Sequence, residues 1–133
     1  MKTNNKFQRG AAAVEFGLVL VVFLALLIGI IEFARFLYVF NSAAEATRAG
    51  ARAAVVNVKN SPAIRSEMRL ILEDVKDAEI AVAYLPPNCV SDCAYVQVAL
   101  NNYAVAPIFW PIDPIVLPPF TTTLPVESLG ENN

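Results

Sequence analysis

The chain has 133 residues, of which 56% are hydrophobic, and this length allows one small domain beside a membrane segment. Ten basic and twelve acidic residues give a net charge of −2, which disfavours nucleic acid as a partner because no basic surface is available. The chain has no histidine, so it lacks the commonest general base and metal ligand. The composition therefore predicts no catalytic residue, no metal site and no cofactor.

A polar head of ten residues precedes a long apolar run. The head contains the basic residues Lys2, Lys6 and Arg9. The stretch from Ala11 to Ile31 is 21 residues, or roughly 31 Å of helix, which is enough to cross a bilayer. A cleavable secretory signal is disfavoured because its apolar region is shorter than this. The basic head predicts a cytoplasmic N-terminus, so the remainder is expected in the periplasm, across a bacterial inner membrane.

Charged residues occur at both ends of this run. Glu32 and Arg35 are spaced i, i+3, so they can form an intrahelical pair near the outer interface of the membrane. Glu15 lies near the start of the run, and a carboxylate in hydrocarbon costs about 2.5–3.5 kcal/mol. Two interpretations stay open for it. Glu15 either reaches the cytoplasmic headgroups, or it pairs in a filament with a neighbour's ammonium group, created at Ala11 by cleavage after Gly10.

Residues 9–20 resemble the start of TadE-like proteins, the pseudopilins of the Tad (tight adherence, Flp-type) pilus machinery. The resemblance continues through residues 29–35 and into the Ala/Arg-rich residues 44–52. Its specificity comes from the combination of Gly10, Glu15, Glu32 and Arg35.

The resemblance implies that a prepilin peptidase cuts between Gly10 and Ala11, which makes Glu15 the fifth residue of the mature chain. It also implies a type IV pilin-like architecture. The implied partners are other Tad pseudopilins, the major pilin, the inner-membrane assembly platform and membrane lipid. Family members commonly carry a proline about six residues after the glutamate, where this chain has Val21, so a straighter helix is expected.

The predicted fold class is α+β, with three parts in chain order. Residues 1–10 form the leader, residues 11–58 form one long helix that spans the membrane over about residues 11–40, and residues 59–133 form a small periplasmic domain. Beyond Phe40 the helix carries a stripe of small residues, which is either a packing face or a solvated stalk.

The domain is predicted to contain one amphipathic helix on a short antiparallel sheet. Ser61 and Pro62 are favourable at a helix start, and the apolar spacing that follows predicts a helix over residues 61–76. Alternation at residues 78–85 and 94–100 predicts a hairpin whose apolar face this helix covers.

Two features of the domain leave alternatives. Cys89 and Cys93 lie in the hairpin connection, and an oxidising periplasm favours a structural disulfide over free thiols or redox chemistry. Residues 107–125 carry six prolines among large apolar residues. They form either an extended segment packed over the domain or an exposed apolar patch that awaits a partner. Residues 121–124 are a candidate edge strand.

Three classes of function fit parts of this pattern. The favoured one is a structural pseudopilin or minor pilin, which acts in pilus assembly or initiation through helix packing and needs no catalytic residue. It would reside in the inner membrane or in the extracellular pilus. A permanently anchored periplasmic scaffold would use the same helix and domain. An enzyme is disfavoured, and the acidic cluster of Asp74, Asp77 and Glu79 lacks the ligand spacing of a calcium loop.

Overall fold

The computed structural model describes residues 6–89 and 93–126, with side chains from residue 10 onward. The first five residues of the predicted leader, the residues between the two cysteines, and the predicted domain from residue 127 lie outside the described residues. The described part has a long N-terminal apolar helix, a short helix and an antiparallel sheet, which confirms the predicted α+β class.

Helix α1, Lys6–Val56, is one uninterrupted helix of 51 residues. It contains no proline and many alanine and leucine residues, so nothing in its sequence breaks it. It begins inside the predicted leader and ends slightly before the predicted boundary at Val58. Near that end, Ala53 O accepts from both Asn57 N at 3.1 Å and Asn57 Nδ2 at 2.8 Å, so the Asn57 side chain reinforces the last turn.

The two halves of α1 have different surroundings. We call residues 10–31 the apolar half, in which large side chains such as Phe16 and Val21 are each 68% exposed. We call residues 36–56 the packed half, because it contains the buried residues of the helix. The helix is long and apolar enough to cross a membrane, and none of its most apolar stretch is buried.

Helix α2, Pro62–Ile71, begins where the sequence predicts. Ser61 caps it by accepting a hydrogen bond from Ala63 N at 3.3 Å, and proline occupies the first turn. Ile64 and Met68 are fully buried on its inner face.

The end of α2 corrects the prediction of a helix over residues 61–76. The helix stops at Ile71, because Glu73 and Asp74 would place two carboxylates at the negative end of the helix dipole. The chain turns at Leu72, and both Leu72 and Val75 remain buried after the turn. The apolar spacing therefore identified the buried residues correctly while overestimating the helix length.

The strands form two antiparallel sheets. In chain order the strands are β1 (Ile80–Leu85), β2 (Tyr95–Leu100), β3 (Ala104–Val105), β4 (Ile115–Val116) and β5 (Phe120–Pro125). β1 and β2 form the predicted hairpin, and β5 adds to β2 as an edge strand, which gives the order β1-β2-β5. β3 and β4 form a separate pair that the sequence did not predict.

The packed half of α1 supplies one side of the core. Its buried small residues are Ala43, Ala46, Thr47, Gly50, Ala51, Ala53 and Ala54. This face contacts α2, β2 and β5, so the stripe is a packing face and not a solvated stalk. The sheet face that the sequence assigned to α2 is covered mainly by α1, and α2 packs along α1.

Gly50 is the closest approach in this core. A Cβ at Gly50 would lie 2.7 Å from Met68 Cγ, 2.8 Å from Met68 Sδ and 3.3 Å from Val98 Cγ1. Met68 and Val98 are both fully buried, so neither can move into solvent. The absence of a side chain at this position therefore lets α1, α2 and β2 meet.

Gly50→Ala is expected to destabilise the full chain. Overpacking costs about 1–3 kcal/mol, and the better helix propensity of alanine offsets roughly 1 kcal/mol of that. Chemical unfolding of the detergent-solubilised protein measures the difference in free energy of unfolding between the variant and the native protein. Gly17→Ala is the matched control because its Cβ meets nothing within 4 Å. Equal free energies of unfolding for the two variants would contradict this prediction, because Met68 would then make room for the added methyl group without loss of stability.

Candidate functional site: the apolar half of α1 and the segment docked at its end

The predicted cleavage residues lie at the start of the apolar half. Gly10, Ala11 and Glu15 are all exposed, and a Cβ at Gly10 would meet nothing within 4 Å. Among the described residues, Glu15 takes part in no ion pair. Within residues 10–89 and 93–126, this end of α1 therefore stands apart from the remainder of the fold.

The structure brings Glu32 and Arg35 together as an intrahelical pair. Arg35 Nη2 lies 2.8 Å from Glu32 Oε1, and the side chains of Arg35 and Glu32 are 29% and 14% exposed. Because both side chains are partly shielded from water, their attraction is screened less than that of a surface pair. The pair marks the point where the uncharged stretch of the helix ends.

A distant segment of the chain docks on this pair. We call residues 106–116 the docked segment. Ile108 N donates to Glu32 Oε1 at 3.0 Å, and Arg35 Nη2 donates to Ala106 O. Glu32 Oε1 thus accepts from both its helix partner and the docked segment. The ion pair is therefore also a clamp between α1 and the C-terminal part of the chain.

An apolar cavity of about 370 Å³ lies beside the clamp. Gly29, Phe33 and Phe36 line it from α1, and Trp110 and Ile112 line it from the docked segment. Glu32 Oε2 and Arg35 Nε are buried nearby and make no hydrogen bond within the described part of the chain. Glu32 and Arg35 also line the cavity, but they are paired with each other and the remaining lining is apolar, which fits packing better than chemistry.

The docked segment combines a fixed backbone with exposed side chains. Leu117 N donates to Tyr103 O at 2.8 Å, and Leu117 and Val105 are buried, so both ends of the segment are held. Its exposed apolar side chains are Ile108, Phe109, Trp110, Ile112, Ile115 and Val116. Two predictions were open for the proline-rich region. The prediction of an exposed apolar patch is correct for these residues, and the prediction of a packed extended segment is correct only for the ends of the docked segment.

The predicted disulfide joins Cys89 and Cys93, whose Cα atoms are 5.3 Å apart. Lys59 Nζ donates to Cys89 O and lies 5.1 Å from the ring centroid of Tyr84. These contacts hold the hairpin connection against the chain that follows α1. The disulfide closes a very short loop, so its stabilising effect is at the low end of the usual range, about 2 kcal/mol.

One member of the acidic cluster, Asp77, is engaged in ion pairs. Asp77 Oδ1 lies 2.7 Å from Arg69 Nη2 and 3.4 Å from Arg65 Nε. Within the described residues, no group of three cysteine or acidic side chains is placed to hold a metal ion. Burial raises the pKa of the nearby Tyr103 hydroxyl, and the negative charges of Asp74 and Glu79 raise it further.

The comparison with protein families supports the resemblance on the same helix. The family described as TadE-like protein matches residues 10–52, which include Gly10, Glu15, Glu32 and Arg35. The matched range covers the apolar half and most of the packed half, and it stops before α2. No curated protein and no solved structure matches the chain. The match therefore confirms the TadE-like resemblance of α1, while the docked segment lies outside it.

Loss of the clamp is expected to release the docked segment. Glu32→Ala removes the acceptor of the Ile108 amide, which then has no hydrogen-bond partner among the described residues. Deuterium exchange at Ile108 should therefore accelerate by roughly tenfold or more. Glu45→Ala is the matched control, because Glu45 forms a similar i, i+3 pair with Arg48 that is 50–61% exposed. Unchanged exchange in Glu32→Ala would contradict the clamp.

Proposed function

We propose that this protein is a pseudopilin or minor pilin of a Tad-type (tight adherence) pilus. The observation that carries this proposal is the apolar half of α1, which lies inside the TadE-like match and contains no buried residue. An unpartnered apolar helix of this length needs either lipid or other helices around it. A pilin-type subunit uses both in turn, lipid before assembly and neighbouring helices after it.

In this proposal the subunit resides in the bacterial inner membrane before assembly. The apolar half spans the bilayer with the leader in the cytoplasm and the globular region, residues 57–126, in the periplasm. A prepilin peptidase removes the leader between Gly10 and Ala11. Both residues are exposed and distant from the globular region, so the fold leaves them accessible to the enzyme.

Cleavage would create a partner for Glu15, which takes part in no ion pair among the described residues. A carboxylate in hydrocarbon is unfavourable by about 2.5–3.5 kcal/mol, and an opposite charge nearby reduces this penalty. The new ammonium group at Ala11 of an adjacent subunit supplies that charge. The pairing would favour assembly and fix the axial position of one helix relative to the next, and it requires no catalytic group in the subunit.

The proposal implies a specific set of partners. They are the prepilin peptidase, other Tad pseudopilins, the major pilin and the inner-membrane assembly platform, together with membrane lipid. The helix supplies the contacts to lipid and to neighbouring subunits. The globular region supplies a separate surface, in which α2, β2 and β5 pack against α1.

Intact-protein mass spectrometry of the native protein from its own membrane tests the processing step. We expect a mass that lacks Met1–Gly10 and shows a two-proton increase with reductant, from the Cys89–Cys93 bond. Gly10→Leu should retain the leader, because the small residue before the cut is lost. Gly17→Leu is the control, since this glycine also has open space around it. An intact leader in cells with active peptidase would favour the permanently anchored scaffold.

A further inference from the structure

The docked segment presents more exposed apolar surface than its own packing requires. Ile108, Phe109 and Ile112 are 67%, 54% and 59% exposed, and Trp110 is 46% exposed. On α1, Ile30 and Phe33 are 66% and 63% exposed. Both are close in sequence to Gly29, which lines the cavity. Exposed apolar side chains therefore lie on both the helix and the docked segment where the two elements meet.

The position of this surface along α1 is fixed by two hydrogen bonds. The clamp holds Ala106 and Ile108 at Glu32 and Arg35. Trp110 and Ile112 line a cavity whose α1 side includes Gly29, which lies within the apolar half. The docked segment thus reaches the level at which the uncharged stretch of the helix ends.

The chemistry of the docked segment suits a membrane interface. Between Cys93 and Val126 the only charged residue is Asp113. Tryptophan and other aromatic residues are enriched at the headgroup level, where an apolar ring with a polar edge is favourable. Pro107, Pro111 and Pro114 carry no N–H, and Ile112 N donates to Trp110 O at 2.9 Å, so few backbone donors need water.

We infer that the docked segment is a second membrane contact, in which Ile108, Phe109, Trp110 and Ile112 insert among the headgroups and upper acyl chains of the outer leaflet. This inference rests on the proposed membrane insertion of α1. The segment would fix the height and tilt of the globular region above the bilayer, because the clamp ties it to the helix. Asp113 limits the depth, since its carboxylate must remain at the headgroups.

Trp110 makes the inference directly measurable, because it is the only tryptophan in the chain. The full chain is reconstituted in phosphatidylcholine–phosphatidylglycerol vesicles whose lipids carry bromine either near the headgroups or near the bilayer centre. We expect Trp110 emission to lie at shorter wavelength than in water. We also expect it to be quenched more strongly by the shallow bromines than by the deep ones.

Two variants calibrate the measurement, and both carry Trp110→Phe. Adding Leu70→Trp places the fluorophore on α2, where Leu70 is 79% exposed, and it should not be quenched. Adding Phe23→Trp places it in the apolar half, where deep bromines should quench it most. The second variant reports insertion of α1 independently of the docked segment.

The outcomes separate the inference from the proposed function. Quenching of Phe23→Trp without quenching of Trp110 would overturn the inference and leave the membrane helix intact. The inference would also be overturned if Trp110 emission changed only with the protein density in the vesicle. A second copy of this chain, and not lipid, would then cover the docked segment. Absence of quenching at Phe23→Trp would remove the membrane insertion on which both the inference and the proposed function depend.

Discussion

The change of side-chain size along α1 is the constraint on which the remaining structure depends. Large apolar residues occupy the first half, and alanine and glycine dominate the buried face of the second. Small residues let backbones approach closely, so α2 and the sheet can pack on one face of the helix. Gly50 shows how little space separates these elements, since a single methyl group there would lie within 3 Å of Met68.

The same helix thus carries two surfaces with different partners. Its packed half is satisfied within the chain, whereas its apolar half has no buried residue and is long and apolar enough to cross a membrane. The Glu32–Arg35 clamp lies at the junction and binds the docked segment there. The position of the globular region relative to the apolar half is therefore set by side chains and not only by the helix itself.

Local patterns predicted most of the regular structure. The long apolar run with its alanine-rich continuation predicted α1, Ser61 and Pro62 predicted the start of α2, and alternation predicted the hairpin. The small-residue stripe stayed ambiguous, because alanine favours both an isolated helix and close packing. The two-residue strands β3 and β4 are too short for any alternation to appear.

The contact between Glu32 and Ile108 could not be predicted from local pattern, because the two residues are 76 positions apart. The i, i+3 spacing indicated the ion pair, and the prolines with Trp110 indicated an unusual apolar segment. Nothing in either pattern joined the two. Only the fold, through the buried Leu117 and its bond to Tyr103, brings that segment back to the helix.

The central claim is that the apolar half of α1 is an assembly surface in which Glu15 provides the pairing charge. The most direct test counts pili on cells that produce Glu15→Gln in place of the native protein, with Glu45→Gln as the exposed control on the same helix. The account predicts that Glu15→Gln is cleaved normally but strongly reduces piliation, while Glu45→Gln assembles as the native protein does. Normal piliation with cleaved Glu15→Gln would contradict the account.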